Sequence, residues 1–124
     1  HFLRSVLTIQ KSLSMKHEIF AWLEDIKQAI KEIYDFLPEN IDYIEFDKDL
    51  KTRKAVERNI EIIGEALNRI LKVTPDIDIT DSRKIVDTRN RFIHGYNSIT
   101  SDILWLIIKK SLPVLEKEVK ELLS

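Results

Sequence analysis

At 124 residues the chain is long enough for one domain, and a compact domain of that size hides roughly two-thirds of the surface its extended chain exposes. It has no cysteine, two glycines and three prolines, with 33% charged and 44% hydrophobic residues. This composition excludes disulfides and thiolate zinc sites, and it favours long amphipathic helices over a turn-rich β fold. Twenty basic against 21 acidic side chains leave a formal net charge of −1. No whole-molecule positive field gathers polyanions, so any contact with a nucleic acid has to be local.

No uncharged stretch reaches the roughly 20 apolar residues of a membrane span, so a soluble protein with no membrane association is expected. The lack of cysteine fits a reducing, cytoplasmic setting. The only methionine is Met15. Residues 1–14 read as a non-native or disordered N-terminal extension, although Phe2, Leu3, Val6, Leu7 and Ile9 make it unusually apolar. Arg4 interrupts that run and no clear small-residue cleavage site follows, which argues against a signal peptide. Residues 15–124 are then one helical domain.

Ile19, Leu23, Ile26, Ile30, Ile33 and Leu37 recur at intervals of four and three, the period of one helix face, and Pro38 marks the end of that helix. Residues 39–46 read as a connection. A second helix is expected from Asp47 or Asp49 to about Val73, with Val56, Ile60, Ile63, Leu67 and Ile70 inward. Gly64 inside it is unfavourable by about 1 kcal/mol relative to alanine, so a close helix contact is expected there. After a connection over 75–80, Thr80 or Asp81 can cap a shorter helix that runs to His94, with Gly95 as its stop. The last helix starts near Thr100 or Ser101, turns Leu104, Ile107, Leu115, Val119 and Leu122 inward, and is kinked by Pro113. Short connections between four such segments predict an all-α, antiparallel four-helix bundle with a kinked last helix.

One charged residue breaks the amphipathic pattern. Ile85, Val86, Phe92 and Ile93 lie four and three residues before and three and four after Arg89, which places its guanidinium in the middle of an apolar face. An unpaired buried charge there costs several kcal/mol. Three arrangements avoid that cost: an ion pair with Glu61 or Glu65 of the second helix, exposure through an incompletely covered face, or a position lining a cleft or interface for an anion. His94 follows five residues later, about 140° away on an ideal helix; a helix end at Gly95, or a second copy across a two-fold axis, relaxes that divergence. Asn90 shares the face of His94 four residues on. These groups suit RNA cleavage by the 2′-hydroxyl, with His94 moving a proton near neutral pH and Arg89 holding the scissile phosphate. The bare interval is a weak pattern, and His17, with no partner in sequence, shows how often a histidine near a helix end is structural.

The octapeptide Arg89-Asn90-Arg91-Phe92-Ile93-His94-Gly95-Tyr96 resembles the Arg-x4-His-x-Tyr motif of HepT-like HEPN ribonucleases, the toxin halves of HEPN/minimal-nucleotidyltransferase toxin–antitoxin pairs. Ala55-Val56-x-Arg58-x-x-Glu61-Ile62-Ile63-Gly64-Glu65-Ala66 resembles that family's second helix, and Trp105 with Leu112-Pro113 resembles its last. The likeness covers nearly everything from Met15 onward. It implies a helical bundle that forms a homodimer with two motifs facing a shared cleft, and a metal-independent endoribonuclease that uses no cofactor. By the same likeness Arg89 and His94 are catalytic, Asn90 is the polar residue that follows the arginine, and Tyr96 accepts AMP from a nucleotidyltransferase antitoxin. AMP adds bulk and negative charge beside a cleft that must admit an RNA phosphate, which is a physical basis for inhibition. Arg91, with Arg83 and Lys84, adds modest positive charge for substrate, partly offset by Asp81 and Asp87. Lys54, Arg58, Glu61, Glu65 and Asn68 form a polar stripe that is ordinarily solvated; if Gly64 meets the motif helix, Arg58, Glu61 and Glu65 come to surround Arg89. The alternative is a noncatalytic HEPN dimer module that binds a nucleotide or the nucleotidyltransferase.

Overall fold

The computed structural model describes residues 2–93 and 99–124, the side chains at positions 8, 11, 12, 14 and 91–93 excepted. The first helix, α1, spans Phe2–Phe36. Its inward residues Leu23, Ile26, Ala29, Ile30 and Ile33 are the ones the 3.6-residue period selects. It closes ahead of Pro38, with the last turn completed by Leu37 N–H donating to the Ile33 carbonyl at 3.2 Å. Residues 2–14, set apart in the sequence, continue this helix; Phe2, Leu3, Leu7, Ile9 and Leu13 stand exposed along it.

The connection expected over 39–46 is corrected by a second, short helix, α2, at Tyr43–Lys48. Asp42 caps it by accepting the Glu45 amide at 2.8 Å, and its one fully buried side chain is Phe46. A helix of six residues with a single inward residue has no period to read. Helix α3, Leu50–Val73, starts at Asp49 rather than Asp47. The Asp49 carboxylate accepts from the Thr52 amide at 3.1 Å and from the Thr52 hydroxyl at 2.5 Å. The side-chain bond from Thr52, then its backbone bond, hold the Asp49 carboxyl below the usual carboxylate range. Its cap therefore contributes fully above the ordinary carboxyl pKa and fades as pH falls through the lowered one. Asp49→Ala is expected to lower Tm near neutrality, with the gap to the parent closing in acid; thermal unfolding over a pH series checks both.

Helix α4 spans Ser82–Ile93 and follows Asp81, which stands at φ 56° while its carbonyl accepts the Ile85 amide at 3.2 Å. The loop ahead of α4 is fastened to the end of the bundle by Glu118, which accepts the Thr80 amide at 2.7 Å. Helix α5, Ser101–Leu106, passes through a π-helical turn at Ile107–Ser111 into α6, Leu112–Leu123. The expected kink takes this form because Pro113 has no N–H to continue the ladder: Leu112 donates instead to the carbonyl of Ile107, five residues back, and the proline falls in the first turn of α6.

Four long segments, α1, α3, α4 and the α5–π–α6 run, make the bundle, and no strand occurs among the described residues. Helix α3 is central: it packs on α1 and on α4, while α6 covers α1 and α2 braces α5. The fully buried side chains Ile26, Ile30, Ile33, Ile60, Ile63, Leu67, Ile70, Leu112 and Leu115 fill the middle. At the α2–α5 contact the Trp105 ring lies 5.3 Å from Phe46 and 6.0 Å from Tyr43, with the Lys109 ammonium 4.7 Å from its centroid. Among the described residues no helix is long and apolar enough to cross a membrane.

Candidate active site

Arg89 lies on the inner side of α4, against α3, as its place among Ile85 and Val86 requires. The residue opposite is Gly64. A β-carbon added there would stand 2.5 Å from Cβ and 2.8 Å from Cγ of Arg89, closer than van der Waals contact permits. The glycine that weakens α3 as a helix is thus what lets the two helices close over the stem of the arginine. The contact expected at Gly64 is present, and it is with the motif helix.

Arg89 is half-buried, and its Nη1 donates to the Asn90 side-chain oxygen at 3.0 Å. Its Nε–H is buried and, among the described residues, has no acceptor. The ion pair with Glu61 or Glu65 is absent among the described residues. Glu65 instead pairs with Arg69 at 2.7 Å along its own helix, and Glu61 makes no bond to the guanidinium. Arg58, itself a cation, is exposed on α3. The two carboxylates expected beside Arg89 therefore leave it unneutralised, and its stem crosses α3 at Gly64. Leaving a buried donor unmade costs about 1–3 kcal/mol, an expense that a purely structural arginine paired with a neighbouring carboxylate would not carry.

Asn90, also half-buried, holds one edge of the guanidinium in place. The backbone of Arg91 continues α4, while its side chain lies outside the described residues, as do His94, the expected stop at Gly95, and Tyr96. On the outer face of α4, Arg83, Lys84 and Asp87 are exposed; Lys84 pairs loosely with Asp81 at 3.7 Å. No group of three or more His, Asp or Glu side chains converges as a metal-ligand set among the described residues.

One residue of this region escaped the sequence reading. Glu57 is 3% exposed, and its carboxylate accepts the backbone amide of Ile99 at 2.8 Å, 42 residues away, while its second oxygen is 3.4 Å from Lys54 Nζ. The signal was available: position 57 lies between Val56 and Ile60 and seven residues before Gly64, inside the apolar stripe, the same kind of misplacement that drew attention to Arg89.

A family model described as Ribonuclease HepT-like matches residues 26–122, a span that takes in Glu57, Gly64, Arg89 and both ends of the motif. The chain belongs to the HepT-like ribonuclease family. Among its curated relatives, "Probable ribonuclease HepT" of Thermococcus cleftensis is 35% identical over 112 residues, covering 87% of this chain and 98% of that protein. "Putative RNase MJ0127" of Methanocaldococcus jannaschii is 33% identical over 113 residues, covering 88% of this chain and 90% of that one. No solved structure matches the chain. The all-α bundle with its interrupted last helix is the HEPN-like architecture, and the family places this HepT-like chain among ribonucleases.

Proposed function

We propose that this HepT-like protein is the toxin of a toxin–antitoxin pair, an endoribonuclease that cleaves RNA by attack of the 2′-hydroxyl without a metal ion. The observation that carries the reading is Arg89: a half-buried guanidinium seated on Gly64, held by Asn90, and neutralised by no carboxylate among the described residues. Such a group is prepared for an anion, and its planar fork suits a phosphate better than a lysine's point charge does.

In the reaction the 2′-oxygen bonds to phosphorus and the bond from phosphorus to the 5′-oxygen breaks, leaving a 2′,3′-cyclic phosphate and a 5′-hydroxyl. One proton leaves the 2′-hydroxyl and one must reach the departing oxygen. His94 is the group of suitable pKa for either transfer, and in a homodimer with two motifs on one cleft the two copies supply one histidine for each. Arg89 neutralises the charge that builds on the phosphorane oxygens, with Asn90 and Arg91 orienting the strand. Tyr96, two residues after His94, is the acceptor for AMP from a nucleotidyltransferase antitoxin; its phenolic oxygen bonds to the α-phosphorus of a nucleoside triphosphate as pyrophosphate departs.

Purified protein is expected to cut single-stranded RNA in excess chelator and to spare the same strand carrying a 2′-deoxy sugar at the scissile position. Intact RNA, or equal cutting of the deoxy substrate, would overturn the mechanism. Coexpression with a minimal nucleotidyltransferase is expected to add at least one AMP mass to the peptide containing Tyr96, with loss of cleavage. Relief of growth inhibition while Tyr96 stays unmodified would remove it as the switch.

A further inference from the structure

The formal net charge of −1 conceals a segregation along the chain. Three of the 20 basic side chains, Arg4, Lys11 and Lys16, and none of the 21 acidic ones lie in the first 17 residues, so the remainder carries 17 basic against 21 acidic. That stretch begins α1, whose 35 residues at a rise of 1.5 Å make a helix about 52 Å long, against about 36 Å for the 24 residues of α3. Among the described residues, Ile19 is the first apolar side chain of α1 to pack on the core. Residues 2–18 therefore run about 25 Å ahead of that contact as an arm.

The arm has an apolar face of its own. Phe2, Val6, Ile9, Leu13 and Phe20 follow at intervals of four, three, four and seven, one stripe of a helix, and Leu3 and Leu7 widen it. Apart from half-buried Val6 these side chains are exposed, from 47% at Phe20 to 79% at Phe2. The stripe does not continue the core face, because Phe20 is one residue, or about 100° of helix, from Ile19. Arg4 stands on the side away from Phe2, and Lys16 borders the stripe one turn before Phe20. An exposed apolar stripe of this extent marks an interaction surface. With cations around it and no acid, it has the pattern of a helix that lies in the surface of an anionic bilayer, its apolar side chains among the acyl chains and its basic groups at the headgroups.

Other occupants match only part of this surface. A second copy of the arm offers apolar contact but only further cations, with no carboxylate to pair across the seam. An RNA strand matches the charge and leaves the apolar stripe in water. Spanning is a separate case: among the described residues no helix is long and apolar enough to cross a membrane. We propose that residues 2–20 of α1 are an amphipathic arm that docks this protein on the surface of an anionic phospholipid bilayer. The arm lies ahead of residues 26–122, the span of the HepT-like match, so the inference does not depend on the ribonuclease reading.

The test is sedimentation of the full chain with vesicles of equal parts phosphatidylglycerol and phosphatidylcholine, and with vesicles of phosphatidylcholine alone. The parent is expected to partition onto the anionic vesicles and to bind the neutral ones roughly 10- to 100-fold more weakly, the loss that follows when its three basic groups meet no surface charge. Ile9→Glu combined with Leu13→Glu is expected to lower partitioning onto the anionic vesicles at least about tenfold, since two apolar side chains of the stripe are replaced by carboxylates. Arg4→Glu combined with Lys16→Glu is expected to remove the preference for anionic lipid. Ile44→Glu, an equally exposed apolar position on α2 at 64%, serves as the control and is expected to bind as the parent does. A parent that stays in the supernatant with anionic vesicles, an Ile9/Leu13 variant that binds as tightly as the parent, or an equal loss in Ile44→Glu would overturn the assignment. Light scattering without lipid identifies the remaining occupant: a smaller assembly in the Ile9/Leu13 variant than in the parent would mean that a second copy covers the stripe, and would overturn it as well.

Discussion

Replacing Arg89 by alanine is expected to lower the rate of RNA cleavage roughly 10²- to 10³-fold, the loss that accompanies removal of a donor aimed at developing charge. Lysine at the same position is expected to recover little of it. The stem of Arg89 is confined against Gly64 and one edge of its guanidinium is taken by Asn90, so a flexible ammonium has neither the fork nor the fixed direction. The informative companion measurement is Tm. Among the described residues Arg89 makes no ion pair and leaves its Nε–H unsatisfied, so truncating it removes a penalty as well as some packing, and Tm is expected to move by no more than a few degrees. Activity and stability should separate. A variant that loses both together identifies a structural arginine, and one that keeps full activity removes Arg89 from the mechanism. His94→Ala is expected to fall about 10²- to 10⁴-fold by loss of proton transfer, again with little change in Tm.

Gly64→Ala is expected to be damaging although alanine is the better helix former. The gain from propensity is about 1 kcal/mol. Against it stands a β-carbon 2.5 Å from Cβ and 2.8 Å from Cγ of Arg89, atoms at the base of the side chain that cannot swing aside without moving α4. Overpacking of this kind costs about 1–3 kcal/mol or more, so the net effect is destabilising by up to about 2 kcal/mol, or several degrees in Tm for a chain of this size. The larger consequence is catalytic, because the helix that must shift is the one carrying Arg89 and Asn90. Cleavage is expected to drop at least about tenfold at temperatures where the variant is fully folded. Circular dichroism melts and RNA cleavage on the same preparation check both. An alanine variant that is more stable than the parent and equally active would show that α3 and α4 do not close over this residue.

Much of the fold was legible because its signals are periodic and local. The stripes from Ile19 to Leu37 and from Val56 to Ile70 identified the inward faces of α1 and α3, and Pro38 marked where the first helix stops. The cap at Asp49, the short helix at 43–48 and the π turn before Pro113 were settled by individual hydrogen bonds, which no window average contains.

For the site, the sequence by itself identified Arg89 as a charge on an apolar face, marked Gly64 as a place of close approach, and through the Arg-x4-His-x-Tyr likeness pointed to the ribonuclease family and to the roles proposed for Arg89, Asn90, His94 and Tyr96. Period and composition are properties of one segment at a time, and they carry that far. Only the tertiary structure decided which segments meet: that Gly64 faces Arg89 itself, that Glu65 turns to Arg69 rather than to the motif, and that Glu57 reaches Ile99. The first and the last of these depend on how distant segments pack, and that is fixed by side-chain interlocking and by hydrogen bonds spanning tens of residues; the Glu65–Arg69 pair is local to α3, but that Glu65 makes it in preference to Arg89 follows from the same packing.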